Sequence, residues 1–389
     1  MREHEALDRD IVVVADYFIP NPDHDSASLR LMHLMELLAR RAQVVFMPTF
    51  GDSSTPDAAG RLGDLGIGVI SRREGQLRFL EDHGTRVRMA LLSRPHSVTT
   101  YLGPLRTYAP EAIVAYDTVD LHCRRLEREA DVADAEQRIE RFQLRADALS
   151  TRALEGYLAG ECDVTVVVSE NDAEGIRELV PEADVRVISN VHPASPRSSQ
   201  PLASTLSFIG HYPHRPNVDA ALWFIDDIMP KVLERVPQAT VEFIGDAPPP
   251  ELRARASAHV RVVGWADDLD DVLSETAIGV APLRFGAGVK GKIGEMARRA
   301  IPVVSTSVGA EGMGLQHAKH ILVADNEEQF AAHVVDLLTD VTRAREIGLA
   351  GCRQVGGQFG TATAARELER LLDMGQRTPS ATSSERPST

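Results

Sequence analysis

Only four of the 42 basic residues in this 389-residue chain are lysines, and two of them, Lys290 and Lys292, follow a run of glycines. The stretch Ala281–Gly312 reads APLRFGAGVKGKIGEMARRAIPVVSTSVGAEG. A strand pattern ends at Pro282, Gly286, Gly288 and Gly291 punctuate a turn, and a helix pattern opens near Lys290. Small residues let backbone amides approach a ligand, and a helix start presents free N–H groups and a positive dipole. Cations oppose that dipole, so a lysine pair there, in a chain that otherwise uses arginine, points to an anion such as a diphosphate. Glu295 lies one helical turn beyond Lys292, placed to bond a pair of sugar hydroxyls. The same residues also fit a plain glycine-rich loop with surface lysines and a solvated glutamate.

In open α/β sheets, ligands bind beyond the carboxyl ends of strands, so the residues after each predicted strand are the other candidates. Strand Ala112–Tyr116 is followed by DTVDLH, which sets Asp117, Asp120 and His122 at one strand end. A carboxylate beside His122 orients its imidazole and raises its pKa, and Asp120 is the candidate to bind or deprotonate an acceptor hydroxyl. Strand Leu206–Ile209 runs into Gly210, His211, Arg215 and Asn217, with Asn217 expected to cap the next helix. Strand Ile11–Ala15 leads to Asp25–Ser28, where Ser26 or Ser28 can cap a helix starting near Leu29. Ser169 is expected to cap the helix at Asn171, and Asn190 to fix a turn. Trp265, after Gly264, reads as a core or rim aromatic. Asp23–His24–Asp25 spells DxD but comes too early in the chain for a metal-binding role, so no metal site is expected. No Ser–His–Asp order, HExxH or P-loop occurs, and GAGVKG lacks the acid that a dinucleotide fingerprint needs.

These positions demand strands that end on one edge, and the pattern supplies them. Short β-branched runs alternate with helical stretches throughout, the signature of parallel α/β layers. The first half predicts strands at Ile11–Ala15, Val44–Met47, Ile67–Ile70, Ala112–Tyr116, Val164–Val168 and Val185–Ile188. Helices are expected near Ser28–Arg41, Ser97–Tyr108 and Asn171–Leu179, and the charged segment Arg124–Glu161 reads as one or two solvated helices. The second half predicts strands at Leu206–Ile209, Thr240–Ile244, Val260–Val263, Ile278–Ala281, Pro302–Ser305 and Ile321–Val323. Its helices are expected at Val218–Val236, Pro250–Ala258, Lys290–Arg299, Glu327–Leu338 and Thr342–Gly356. The division is a Rossmann-like domain over 1–191, a linker over 192–205, a second over 206–362, a helix over 363–374 and a polar tail over 375–389.

Composition limits the partners. The net charge of −15 repels nucleic acid over most of the surface. Cys123, Cys162 and Cys352 form no CxxC pair, which argues against a disulfide scaffold or a zinc site and suits a reducing cytosol. No 18-residue apolar run exists and the first ten residues lack the core of a signal peptide, so a cytoplasmic protein is expected.

The stretch around Glu295 resembles the donor-nucleotide motif of the group 1 (family 4) retaining glycosyltransferases of GT-B fold, which place a glutamate before a PVV strand as Glu295 stands before Pro302–Val304. The resemblance implies two doubly wound, Rossmann-like parallel-sheet domains facing an interdomain cleft. It implies transfer of a sugar, with retention and without a metal or other cofactor, from a nucleotide diphosphate sugar to a saccharide, lipid-linked or small-molecule acceptor. In that reading Glu295 holds the ribose, Trp265–Ala266 neighbour the base, and Lys290, Lys292, Arg215, the strand end at Gly210 and the turn at Gly288 and Val289 hold the diphosphate. Lys290 also stabilises the leaving group, His122 and Asp120 act at the donor sugar and acceptor, and Ser26 and Ser28 line the acceptor side. Two departures stand out: Ala287 where the family often has an acid, and Ala300 where a glycine is usual. They motivate one alternative, a non-catalytic binding or scaffold subunit of the same fold. A nucleotide-sugar epimerase is the other. Peripheral contact with the inner face of a membrane would suit a lipid-linked acceptor.

Overall fold

Each predicted strand forms, and one more joins them. In the computed structural model, which describes residues 10–22, 25–50, 56–197, 201 and 204–375, the first domain holds β1 (Ile11–Asp16), β2 (Gln43–Pro48), β3 (Gly68–Val69), β4 (Val87–Ser93), β5 (Ile113–Asp117), β6 (Val164–Val167) and β7 (Val185–Val187). They make one parallel sheet in the order β3-β2-β1-β4-β5-β6-β7. The second domain holds β8 (Thr205–Ile209), β9 (Thr240–Ile244), β10 (Val260–Gly264), β11 (Ile278–Ala281), β12 (Val303–Ser305) and β13 (Leu322–Val323), ordered β10-β9-β8-β11-β12-β13. Both are doubly wound, with the order reversing beside β1 and β8, where ligand crevices form.

The unexpected strand is β4, at the centre of the first sheet between β1 and β5. Its sequence, VRMALLS, is buried at all but one position. A strand covered on both faces shows no polar alternation, and Met, Ala and Leu favour helix, so neither periodicity nor propensity marks it. Helices at Pro56–Asp64, Arg73–His83, Leu269–Leu273 and Ser307–Ala310 were also not anticipated, and the helix from Pro250 stops at Arg253. The expected continuous helix over 218–236 instead runs Arg215–Trp223, takes a π turn at Phe224–Ile228 and resumes at Met229–Leu233. Pro230 cannot donate a backbone hydrogen bond, and the shifted bonding absorbs that loss.

The first sheet alternates its side chains between two cores. Val12 and Val14 face the Ser26–Ala39 helix, while Val13 and Ala15 face the Pro95–Tyr108 helix. The last helix, Thr361–Met374, does not stay with the second domain. Its stripe Ala364, Leu368, Leu371 and Leu372 packs in the same core as Leu31, Leu34 and Leu38 of the first. Arg41 pairs with Glu369, and Arg88 donates to the Leu372 carbonyl at 2.7 Å. Burying one such leucine contributes about 2 kcal/mol.

The segment expected to be a free linker is pinned over its described part. The His192 amide donates to Phe359 O at 2.7 Å, Ser195 N to Arg298 O at 2.8 Å and Arg197 N to Arg299 O at 3.1 Å. Beyond Gly375 the polar tail lies outside the described residues. Ala300 takes the left-handed conformation that a glycine usually supplies, with φ +58°. It closes a Schellman motif in which Ile301 N donates to Met296 O and Ala300 N to Ala297 O. The alanine therefore keeps the helix stop at some conformational cost.

Candidate active site

After β11 the chain turns through Gly286 at φ +146° and Gly288 at φ +67° before the Gly291–Arg298 helix begins. Left-handed backbone favours glycine at Gly288, and close packing gives a second reason. A Cβ there would lie 3.2 Å from the Asp120 Cβ and 3.3 Å from Val168 Cγ2, both in the first domain. At Gly291 it would fall 2.5 Å from the Ser26 Cβ. Glycines thus bring the turn of one domain against the strand ends of the other.

Lys290 is the N-cap of this helix and is buried. Its Nζ donates to the Ala287 carbonyl at 2.9 Å and the Gly288 carbonyl at 2.5 Å. Burial pushes its pKa down to about 8. The half-buried Lys292 donates to Asn217 Oδ1 at 2.8 Å and lies 5.4 Å from the centre of the Phe208 ring. Burial, with Lys290 nearby, brings its pKa to about 7. Among the described residues neither ammonium has a carboxylate within ion-pair distance. One buried and one half-buried cation at a helix start, with no carboxylate in ion-pair range, make an arrangement that can take an anion.

A second helix start meets the first. The Ser26–Ala39 helix begins beside Gly291, but its cap is Asp25, not Ser26 or Ser28. Asp25 accepts from Ser28 N and from Ser28 Oγ, each at 2.8 Å, because a carboxylate one residue earlier outcompetes the serine hydroxyls. Asp23 and His24 lie outside the described residues. Ser169 caps the Glu170–Leu179 helix as expected, accepting from Asp172 N at 3.1 Å.

Beyond β5, His122 Nε2 and Asp120 Oδ1 are 2.6 Å apart, and Arg125 Nε donates to Asp120 Oδ2 at 3.0 Å. Burial disfavours the Asp120 charge, but His122 and Arg125 outweigh it and hold the carboxyl well below its usual range. Burial likewise opposes the charged imidazole, and Asp120 overrides it to raise the pKa of His122. His122 also opens the His122–Ala135 helix, whose first amides are held by the buried Glu155 from the Arg141–Glu161 helix: His122 N donates at 2.8 Å and Cys123 N at 3.0 Å. Asp117, which ends the same strand, serves another purpose. It pairs with Arg30 at 2.8 Å, entirely buried, and Arg30 also donates to Ile188 O.

Several candidates are already engaged. Glu295 bonds His192 Nδ1 at 3.1 Å, Arg298 Nε at 2.8 Å and Arg299 Nη1 at 2.5 Å. Burial opposes its charge, and these three partners hold its pKa far down. Arg215 Nε meets Glu129 of the first domain at 2.9 Å. The Val289 side chain packs against Val168 in an apolar cluster, leaving its backbone to the turn. Gly210 ends β8 against Asn217. Asn217 is not a cap: the helix starts at Arg215, ahead of Pro216, and the Asn217 amide instead joins the His211 carbonyl to Lys292. Trp265 is 40% exposed and donates to Asp267 Oδ1 at 2.8 Å.

Sequence reasoning missed three groups. Arg128 reaches across the cleft to both oxygens of Glu311 and donates to Gly286 O at 2.7 Å. Arg284 likewise bridges Asp219 and Glu136 of the first domain. Asp16, at the end of β1, is buried beside Arg94 with Nε at 3.5 Å, and burial brings its carboxyl up to about 6. An acid closing the apolar run IVVVA was the available signal for Asp16; the cross-domain pairs left none.

Comparison with known proteins follows the division into domains. The family pattern described as "Glycosyl transferases group 1" matches residues 203–340. A Klebsiella pneumoniae protein described as an uncharacterized 44.6 kDa protein in the cps region is 27% identical over 149 residues, 36% of this chain and 38% of its own length. Sucrose-phosphate synthase from Thermosynechococcus elongatus superposes with a TM-score of 0.69 at 16% identity, covering 94% of this chain and 99% of that one. Anabaena HepE, solved in complex with UDP and glucose, gives a TM-score of 0.70 at 12% identity, covering 94% and 100%.

Proposed function

We propose that this chain, which carries the group 1 glycosyltransferase domain over residues 203–340 within a GT-B fold, moves a sugar from a nucleotide diphosphate sugar to an acceptor held by the first domain. The observation that carries this reading is the pair Lys290, buried, and Lys292, half-buried, at the helix start that meets the first domain, neither with a carboxylate in ion-pair range among the described residues. The relatives support it in kind: HepE was solved with UDP and glucose.

In this reading the diphosphate lies against the Gly286–Gly291 turn. Lys290 and Lys292 stabilise the charge that develops on it as the sugar departs, the main electrostatic demand of the reaction. Their two charges and the turn's free amides do this work without a bound metal. The imidazole of His122, fixed by Asp120, faces the sugar, and the serine-started helix lies on the acceptor side. Hinge closure excludes water. Among the described residues no carboxylate lies within ion-pair distance of either lysine, which favours a front-face route to retention in which the leaving phosphate assists. Glu295 already accepts from His192, Arg298 and Arg299, so a ribose hydroxyl would share Oε1 with His192, which couples donor binding to the linker.

A thermal-shift screen with UDP, GDP, dTDP and ADP at saturating concentration tests the donor site. One nucleotide is expected to stabilise the wild type, and Lys292→Ala to remove most of that shift. An equal shift in the variant overturns the diphosphate assignment. Release of nucleotide only when an acceptor is present separates transfer from epimerisation and from a scaffold that binds without turnover.

A further inference from the structure

At the carboxyl ends of β1, β2 and β4, adjacent strands of the first sheet, four rings lie together, Phe18, Phe50 and His96 exposed and Tyr17 half-buried. Phe18 is 48% and Phe50 51% exposed. His96 stacks on Phe50 with centroids 4.6 Å apart and planes 9° from parallel, and Phe18 lies 5.6 Å from Phe50. Tyr17 meets Phe50 edge-on at 5.2 Å. Isolated exposed aromatics are ordinary, but a contiguous group at a cleft edge is a binding surface.

The polar groups beside it narrow what it binds. The Arg94 guanidinium lies 5.1 Å from the Tyr17 ring centre and 3.5 Å from the Asp16 carboxylate. Arg94 itself holds φ +71°, a conformation that costs free energy in any residue but glycine and is found where position matters. Its charge is within electrostatic reach of Asp25 and Asp120, which border the Ser26–Gly291 and Gly288 contacts. The rings and the glycine turn thus border the same strand ends of the first domain.

We propose that Phe18, Phe50 and His96, with Asp16 and Arg94 at their edge, form the acceptor subsite, and that the acceptor moiety bound there is a pyranose ring. This rests on the sugar-transfer reading above. A pyranose has an apolar C–H face, which packs on aromatic rings, and a rim of hydroxyls, which a carboxylate and a guanidinium bind as acceptor and donor. A hydrocarbon chain would use the rings and leave the ion pair idle. An anionic lipid surface would meet a chain of net charge −15.

The test is saturation-transfer NMR on the full chain with methyl α-glucopyranoside, methyl α-galactopyranoside and methyl α-mannopyranoside at millimolar concentration. At least one is expected to bind, with its ring C–H protons saturated most. Phe50→Ala and Phe18→Ala, both at exposed positions, should each weaken that binding roughly tenfold while leaving the melting temperature and the nucleotide shift unchanged. Binding that survives both substitutions, or no binding by any of the three glycosides, overturns the subsite. So does flotation with phosphatidylglycerol vesicles that is lost in the same variants, which would assign the rings to a membrane. The nucleotide screen fails or succeeds separately: a ring-dependent glycoside signal without any nucleotide shift would sink the donor reading alone.

Discussion

Arg128 of the first domain grips both carboxylate oxygens of Glu311 of the second, and the same guanidinium holds the Gly286 carbonyl at 2.7 Å. The Gly286–Gly291 turn is thus tied to the opposite domain by a charge pair that also fixes one of its glycines. Glu311 lies near enough to Lys290 to favour its charge.

Removing this tie should open the cleft. Glu311→Gln keeps the side-chain shape and is expected to weaken the closed arrangement by about 1.5–3 kcal/mol, the usual loss for a charged hydrogen bond. Small-angle scattering should then report a larger radius of gyration, approached by the wild type at high salt. Identical scattering curves for the two proteins would refute the latch.

The two lysines predict a pH dependence of donor binding. With Lys292 at about 7 and Lys290 at about 8, both are partly neutral in the mildly alkaline range. A diphosphate selects their charged forms, so affinity should fall between pH 7 and 9, by at most about tenfold per unit for each lysine. Calorimetry at pH 8 in buffers of different ionisation enthalpy should show proton uptake on binding. A flat affinity profile without uptake would contradict it.

His122 titrates as a partner of Asp120. Its folded-state pKa lies above the ordinary 6.5, so the pair's stabilisation is complete below 6.5 and is lost as pH rises through the raised value. An NMR titration should place its midpoint above 6.5, and Asp120→Asn should move it downward, because the main charge opposing burial is then gone. A midpoint unmoved by that substitution would mean that the carboxylate does not set the imidazole charge.

Asp117 should matter to stability more than to catalysis. Asp117→Ala strands Arg30 in a site where it is only 2% exposed, and breaking a buried pair this way costs about 3–5 kcal/mol. Urea denaturation would show the midpoint falling. A loss below about 1 kcal/mol would mean that water or Ile188 O suffices for the guanidinium.

How much of this was legible depended on whether the signal was local. The glycine turn and its lysines could be read because lysine is scarce here and the spacing lies within one turn of chain. The two-domain strand alternation was readable for the same reason. Strand β4 was not, since full burial erases the alternation that marks a strand. Glu295 could be located, but its partner His192 stands 103 positions away in a stretch that reads as linker. The helix cap at Asp25 was misassigned to its serine neighbours, because Asp, Ser and Ser at 25, 26 and 28 are near-equal cap formers. Arg128 and Glu311, 183 positions apart, look like ordinary surface charges until the fold brings them together.

The return of the Thr361–Met374 helix to the first domain means that the chain passes between the lobes twice. Such a joint turns like a door on two pins, free to swing about the line through both passages and stiff against twist or drift. It also makes the first lobe dependent on the end of the polypeptide. Cut off after residue 191, that lobe would bare Leu37 and Leu38, which lie beside Leu368 and Leu372, and its isolated form should aggregate unless residues 361–374 are added back in trans.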